Sequence, residues 1–84
     1  MGTDERSRSI RVTADTIRAE RAARGLTQRA LAERADVPLQ TYIRYETGKR
    51  DIPLATLLRM LDALGVSLPT FARRLQDRLD EPDP

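Results

Sequence analysis

From Leu26 to Arg50 the chain reads Leu-Thr-Gln-Arg-Ala-Leu-Ala-Glu-Arg-Ala-Asp-Val-Pro-Leu-Gln-Thr-Tyr-Ile-Arg-Tyr-Glu-Thr-Gly-Lys-Arg. That is the pattern of two short helices joined by a tight turn and followed by a basic loop. Thr27 is placed to cap the first helix, whose inward face is Leu31, Ala32 and Ala35. Asp36 falls where a sharp turn needs a positive φ, which Gly adopts best and Asp tolerates. Pro38 suits the first turn of the next helix, because its missing N–H would be unpaired there anyway, and that helix should run to about Glu46. Two helices this short cannot bury a core by themselves. The flanking segments must therefore supply one, and they fix the angle of the second helix.

Those flanks carry helix signals of their own. A helix is expected from about Thr13, as N-cap, to Arg24, ended by Gly25 in the left-handed conformation. Another should start near Pro53, with Leu54, Leu57, Leu58, Leu61 and Leu64 at helical spacing, and stop at Gly65. Ser67 would cap a fifth helix striped by Leu68, Phe71, Ala72, Leu75 and Leu79, ended by Glu81-Pro82-Asp83-Pro84. No strand pattern or repeat interrupts this series. The expected architecture is all-α, a compact five-helix domain over residues 13–80, with a flexible basic arm over residues 1–12 and an acidic tail over 81–84. The arm carries Arg6, Arg8 and Arg11 and has only Ile10 and Val12 as apolar anchors beyond its first residue.

At 84 residues the chain supports one domain, and folding should bury only about 60–65% of the unfolded surface. Without cysteine or histidine, thiolate zinc sites and most transition-metal sites are excluded, so no metal or cofactor is expected. Nor is there a nucleophile–base pair or a convergent acid cluster, so an enzyme is not expected. No apolar run nears the roughly 18 residues needed to span a bilayer, and the first residues lack a signal-peptide core. A cytoplasmic protein without membrane contact is the expectation. The net charge of +2 is uneven, since residues 13–75 carry eleven basic and seven acidic side chains while residues 76–84 carry one and four. The body is basic and the tail acidic.

From about Ile17 to Val66 the chain resembles the phage-repressor/Cro (XRE-type) helix-turn-helix family. The resemblance rests on Arg24-Gly25-Leu26-Thr27-Gln28, on Leu31-Ala32 with Val37 after the turn, and on Arg44-Tyr45-Glu46 with Gly48-Lys49-Arg50. It continues through Thr56-Leu57-Leu58 to Ala63-Leu64-Gly65-Val66-Ser67. It implies a sequence-specific DNA-binding regulator, a repressor acting as a homodimer on an inverted repeat in double-stranded DNA. The second helix would then lie across the phosphate backbone, and the third would enter the major groove.

The resemblance also assigns residues. Leu39, Gln40, Ile43 and Arg44 take the base-reading positions, where Arg44 can pair with guanine and Gln40 with adenine. Leu39 and Ile43 depart from the polar residues usual there, and suit thymine methyl groups. Gln28, Thr41, Lys49 and Arg50 take phosphate-binding positions, and Arg21 with Glu46 an ion pair that fixes the reading angle. Tyr42 and Tyr45 are expected in the core. Glu20 replaces a usual apolar residue, which should loosen the packing of the first helix. Phe71, Leu75 and Leu79 form a stripe longer than a small core requires, so they are expected to make the dimer contact. The competing reading is a protein-interaction module, antitoxin-like, in which the apolar third helix docks a protein partner such as a toxin or another regulator.

Overall fold

The computed structural model describes residues 2–82 and contains five helices, α1 (Gly2–Ala23), α2 (Gln28–Arg34), α3 (Leu39–Glu46), α4 (Leu54–Leu64) and α5 (Leu68–Asp80). Among the described residues there is no strand, and no single helix is long and apolar enough to cross a membrane. Helix α1 packs against α5 and α3, while α2 packs against α3 and α4. Their apolar faces meet in one core, with Ile17, Leu31, Tyr42, Met60 and Phe71 almost fully buried.

The helix ends follow local chemistry. The Thr27 side chain accepts from the Ala30 N–H at 3.0 Å, and the Ser67 hydroxyl accepts from the Thr70 N–H at 3.3 Å. Gly65 has φ +73°, which lets the Val66 N–H turn back to the Leu61 carbonyl and satisfy a helix-end acceptor. Pro38 stands one residue ahead of α3 rather than inside it, with its carbonyl accepting from the Tyr42 N–H. A proline there still needs no donor, so the same physics operates one position earlier.

Residues 1–12 were expected to form a flexible arm, and here the structure differs. Helix α1 is continuous from Gly2, and Thr13 sits inside it with its hydroxyl donating to the Ser9 carbonyl. The physical reason lies far along the chain. Arg8 donates through Nη2 to the carbonyls of Leu79 (2.9 Å) and Glu81 (2.7 Å), supplying partners to the end of α5, and Val12 is buried.

The fifth-helix stripe also divides differently from expectation. Phe71 is 1% exposed within its own chain, so it is a core residue and cannot meet a partner copy. Leu75 packs partly against the core, and Leu79 is half-buried. The large apolar side chains left exposed are Leu54, Leu58 and Leu68. Glu20 does not loosen α1. It is buried and paired with Arg24 and with Arg74 of α5, so a charged anchor stands where an apolar contact was expected.

Candidate nucleic-acid interface

Eight residues of α3 carry two kinds of surface. Tyr42, Tyr45 and Glu46 face inward and are buried, while Gln40 and Arg44 are exposed. Leu39, Thr41 and Ile43 are partly buried at the border, with Leu39 packed against the core. The helix thus presents a polar ridge, Gln40 and Arg44 one turn apart, flanked by apolar Leu39 and Ile43. The four expected base-reading positions occupy one side of the helix, opposite the tyrosines.

Glu46 locks that helix to the rest of the domain. Its carboxylate receives two bonds from the Arg21 guanidinium, Nε at 2.9 Å and Nη2 at 2.8 Å, and Arg21 also donates to the Leu26 carbonyl at 2.6 Å. The Tyr42 hydroxyl donates to the same carboxylate, and the Gln28 amide approaches it at 3.4 Å. Burial alone would push the Glu46 carboxyl up, but hydrogen bonds from Arg21 and Tyr42 outweigh it and hold the group below the usual carboxylate range. Burial, reinforced by the neighbouring carboxylate, raises the Tyr42 phenol. The side-chain hydrogen bond to Glu46 is the chief cause that raises Arg21. An ionised cluster therefore joins α1, α2 and α3 at the C-terminal end of α3. Gln28, assigned to phosphate from the sequence, has its amide turned toward this cluster.

The turn between α2 and α3 holds Asp36 at φ +56°, and the Val37 N–H closes onto the Ala32 carbonyl at 2.9 Å. Arg59 of α4 donates to the Ala35 carbonyl at 3.1 Å, so the turn is also held from outside. Arg24 likewise bridges the end of α1 to the Leu64 carbonyl at 2.7 Å. Sequence reasoning missed both arginines, as it missed Arg74. In each case the acceptor is a backbone carbonyl or a buried acid on another helix, which residue spacing does not reveal.

After α3 the chain folds back on itself. The N–H groups of Lys49 and Arg50 both donate to the Arg44 carbonyl, at 2.9 and 3.3 Å, around Gly48 at φ +73°. Their side chains are exposed, as are those of Gln40 and Arg44. Two cations on a short, internally bonded turn form a compact positive projection suited to phosphate oxygens. No cluster of His, Cys, Asp and Glu capable of holding a metal occurs among the described residues.

The helix-turn-helix family profile matches residues 17–71. Among solved structures, the clp gene regulator ClgR from C. glutamicum superposes with a TM-score of 0.80 at 23% sequence identity, covering 88% of this chain and 96% of that one. No curated protein matches the chain. With more than half its length inside the profile, the chain belongs to the XRE-type helix-turn-helix family. It is a DNA-binding transcriptional regulator.

Proposed function

We propose that this regulator is a sequence-specific repressor that inserts α3 into the major groove of duplex DNA and binds an inverted repeat as a homodimer in the cytoplasm. The observation that carries this reading is the division of α3. Its inward side is fastened through Glu46 to Arg21, while Gln40 and Arg44 stand exposed on a helix whose orientation is set from behind. Arg44 pairs with guanine O6 and N7, Gln40 with adenine N6 and N7, and Leu39 and Ile43 lie against thymine methyl groups. Thr41, Lys49 and Arg50 contact phosphate, which fixes register without reading sequence, while the Gln28 amide stays directed at Glu46.

The two-fold contact falls on the leucines that the fold leaves uncovered, Leu54 and Leu58 on one face of α4 and Leu68 at the start of α5. Leu75 and Leu79 contribute only their outer edges. Such a dimer sets two reading helices about 34 Å apart, one turn of the duplex. Selection of bound sequences from random duplex DNA tests the reading. An enriched inverted repeat with half-sites one helical turn apart supports it. Absence of any enriched motif overturns it, leaving Leu39 and Ile43 as a protein-docking surface.

A further inference from the structure

We infer that the amino-terminal half of α1 is a brace that holds the turn after α3, the one assigned above to phosphate, and that Arg8 locks this brace to the end of α5. The phosphate role of the turn rests on the proposed function, whereas the brace itself rests on geometry. Gly48, at φ +73°, lies so close to α1 that a Cβ built on it would stand 3.7 Å from the Cα of Arg11. The backbone of the turn therefore runs directly against the backbone of the helix. Less than one helical turn earlier, Arg8 donates to the Leu79 and Glu81 carbonyls at the far end of the chain. Val12, next to Arg11, is buried. Residues 8–12 thus touch the turn and the end of α5 together.

Two further observations give this contact a purpose beyond completing the fold. The family profile begins at residue 17, so the first four turns of α1 lie outside the stretch it matches. The segment extends the buried half of α1 but has little apolar surface of its own, since only Ile10 and Val12 are apolar between Gly2 and Val12. Docking therefore adds to its order, and Arg8 supplies a long-range polar contact to the end of α5. A turn clamped from behind loses less freedom when Lys49 and Arg50 engage phosphate, which is preorganisation. The brace raises affinity for any duplex without touching it.

The test uses the full chain with Arg8→Ala and Arg8→Lys. Amide hydrogen exchange is followed at Gly48, Lys49 and Arg50, all hydrogen-bonded in the structure, and at Leu31 and Leu61 in the core. Affinity for a duplex of unrelated sequence is measured across a salt series. Arg8→Ala should speed exchange in the turn by about tenfold or more while core amides keep their rates. Affinity should fall about three- to tenfold at every salt concentration with an unchanged log–log slope, and Arg8→Lys should recover part of the loss. Unchanged exchange at residues 48–50 overturns the brace, as does uniform acceleration through the core, which would mark Arg8 as a general stabiliser. A slope flattened by about one unit overturns it differently, by showing that Arg8 binds phosphate itself. Lys49→Ala in the same series judges the phosphate role separately, because a slope it leaves unchanged removes that role while the exchange data still decide the brace.

Discussion

Glu20 of α1 and Arg74 of α5 meet at 2.5 Å, and Arg24, just past the end of α1, approaches the same carboxylate oxygen at 2.9 Å. The carboxylate is buried, whereas the two guanidinium groups reach solvent. The acid therefore loses more than the bases when the group is dismantled.

Replacing Glu20 by alanine should cost about 1–3 kcal/mol, from the cavity and the lost charged hydrogen bonds. Glu20→Leu should cost less, since an apolar side chain fills the site without needing partners, while both arginines turn to water. Urea unfolding of the two variants checks the order. Equal losses would show that charge, not volume, carries the contact.

Glu46→Gln should destabilise the domain by about 3 kcal/mol, because Arg21 keeps its charge in a mostly enclosed site and loses its counter-ion. The pH dependence has a definite sign. A carboxyl held below its ordinary value adds stability above about pH 4.3, and that stability is lost as pH falls through the lower folded value. The gap between wild type and Glu46→Gln should therefore close on acidification. At the other end, the raised Tyr42 phenol favours the fold below about pH 10, with the contribution lost as pH climbs beyond it. Thermal melts across both ranges measure the two limbs.

Asp36 occupies the left-handed region, so Asp36→Gly relieves strain but gives the unfolded chain more freedom. These effects oppose, and the net change should stay within about 1 kcal/mol. Asp36→Val, with a branched β-carbon at the same φ, should cost about 1–3 kcal/mol. Melting temperatures of the pair test the turn geometry.

The left-handed residues show where the fold was legible. Gly25, Asp36 and Gly65 all take positive φ, and Thr27 and Ser67 cap the helices that follow. Each is a local rule acting within a few residues. The start of α1 obeyed no local rule, because its partner carbonyls lie 71 and 73 residues away. Phe71 was misassigned for a related reason. A helical stripe shows which residues share a face, but not how much of that face other helices already cover. In the candidate interface, residue order placed Gln40 and Arg44 on one helix side, whereas the amide of Gln28 turned inward toward a carboxylate that spacing could not reveal.

Reading and gripping should separate in binding experiments. Lys49→Ala or Arg50→Ala should weaken binding to all duplexes alike and flatten the salt dependence by roughly one unit per lost phosphate contact. Arg44→Ala and Gln40→Ala should cost about 1–3 kcal/mol on the selected site and leave unrelated DNA nearly unaffected. Titrations on both duplexes over a salt series distinguish the two behaviours.

Leu58 is 42% exposed, so Leu58→Glu should leave the melting temperature within about 4 °C of wild type, since surface changes of about 0.5 kcal/mol or less move a domain of this size by no more than that. Binding to a single half-site should persist while cooperative binding to the full inverted repeat is lost. Gel mobility shifts with the two duplexes report this, and retained cooperativity would move the dimer contact away from α4.

The division of α3 bears on how such a regulator can diverge. Gln40 and Arg44, proposed above to read bases, project from the fold without supporting it, so exchanging them should give a new operator while thermal tolerance stays as it was. Leu39 and Ile43 are partly enclosed, and drift there is confined to side chains of similar bulk. After a gene duplication, two daughter regulators would be expected to lose cross-talk first at positions 40 and 44, well before their cores become distinguishable.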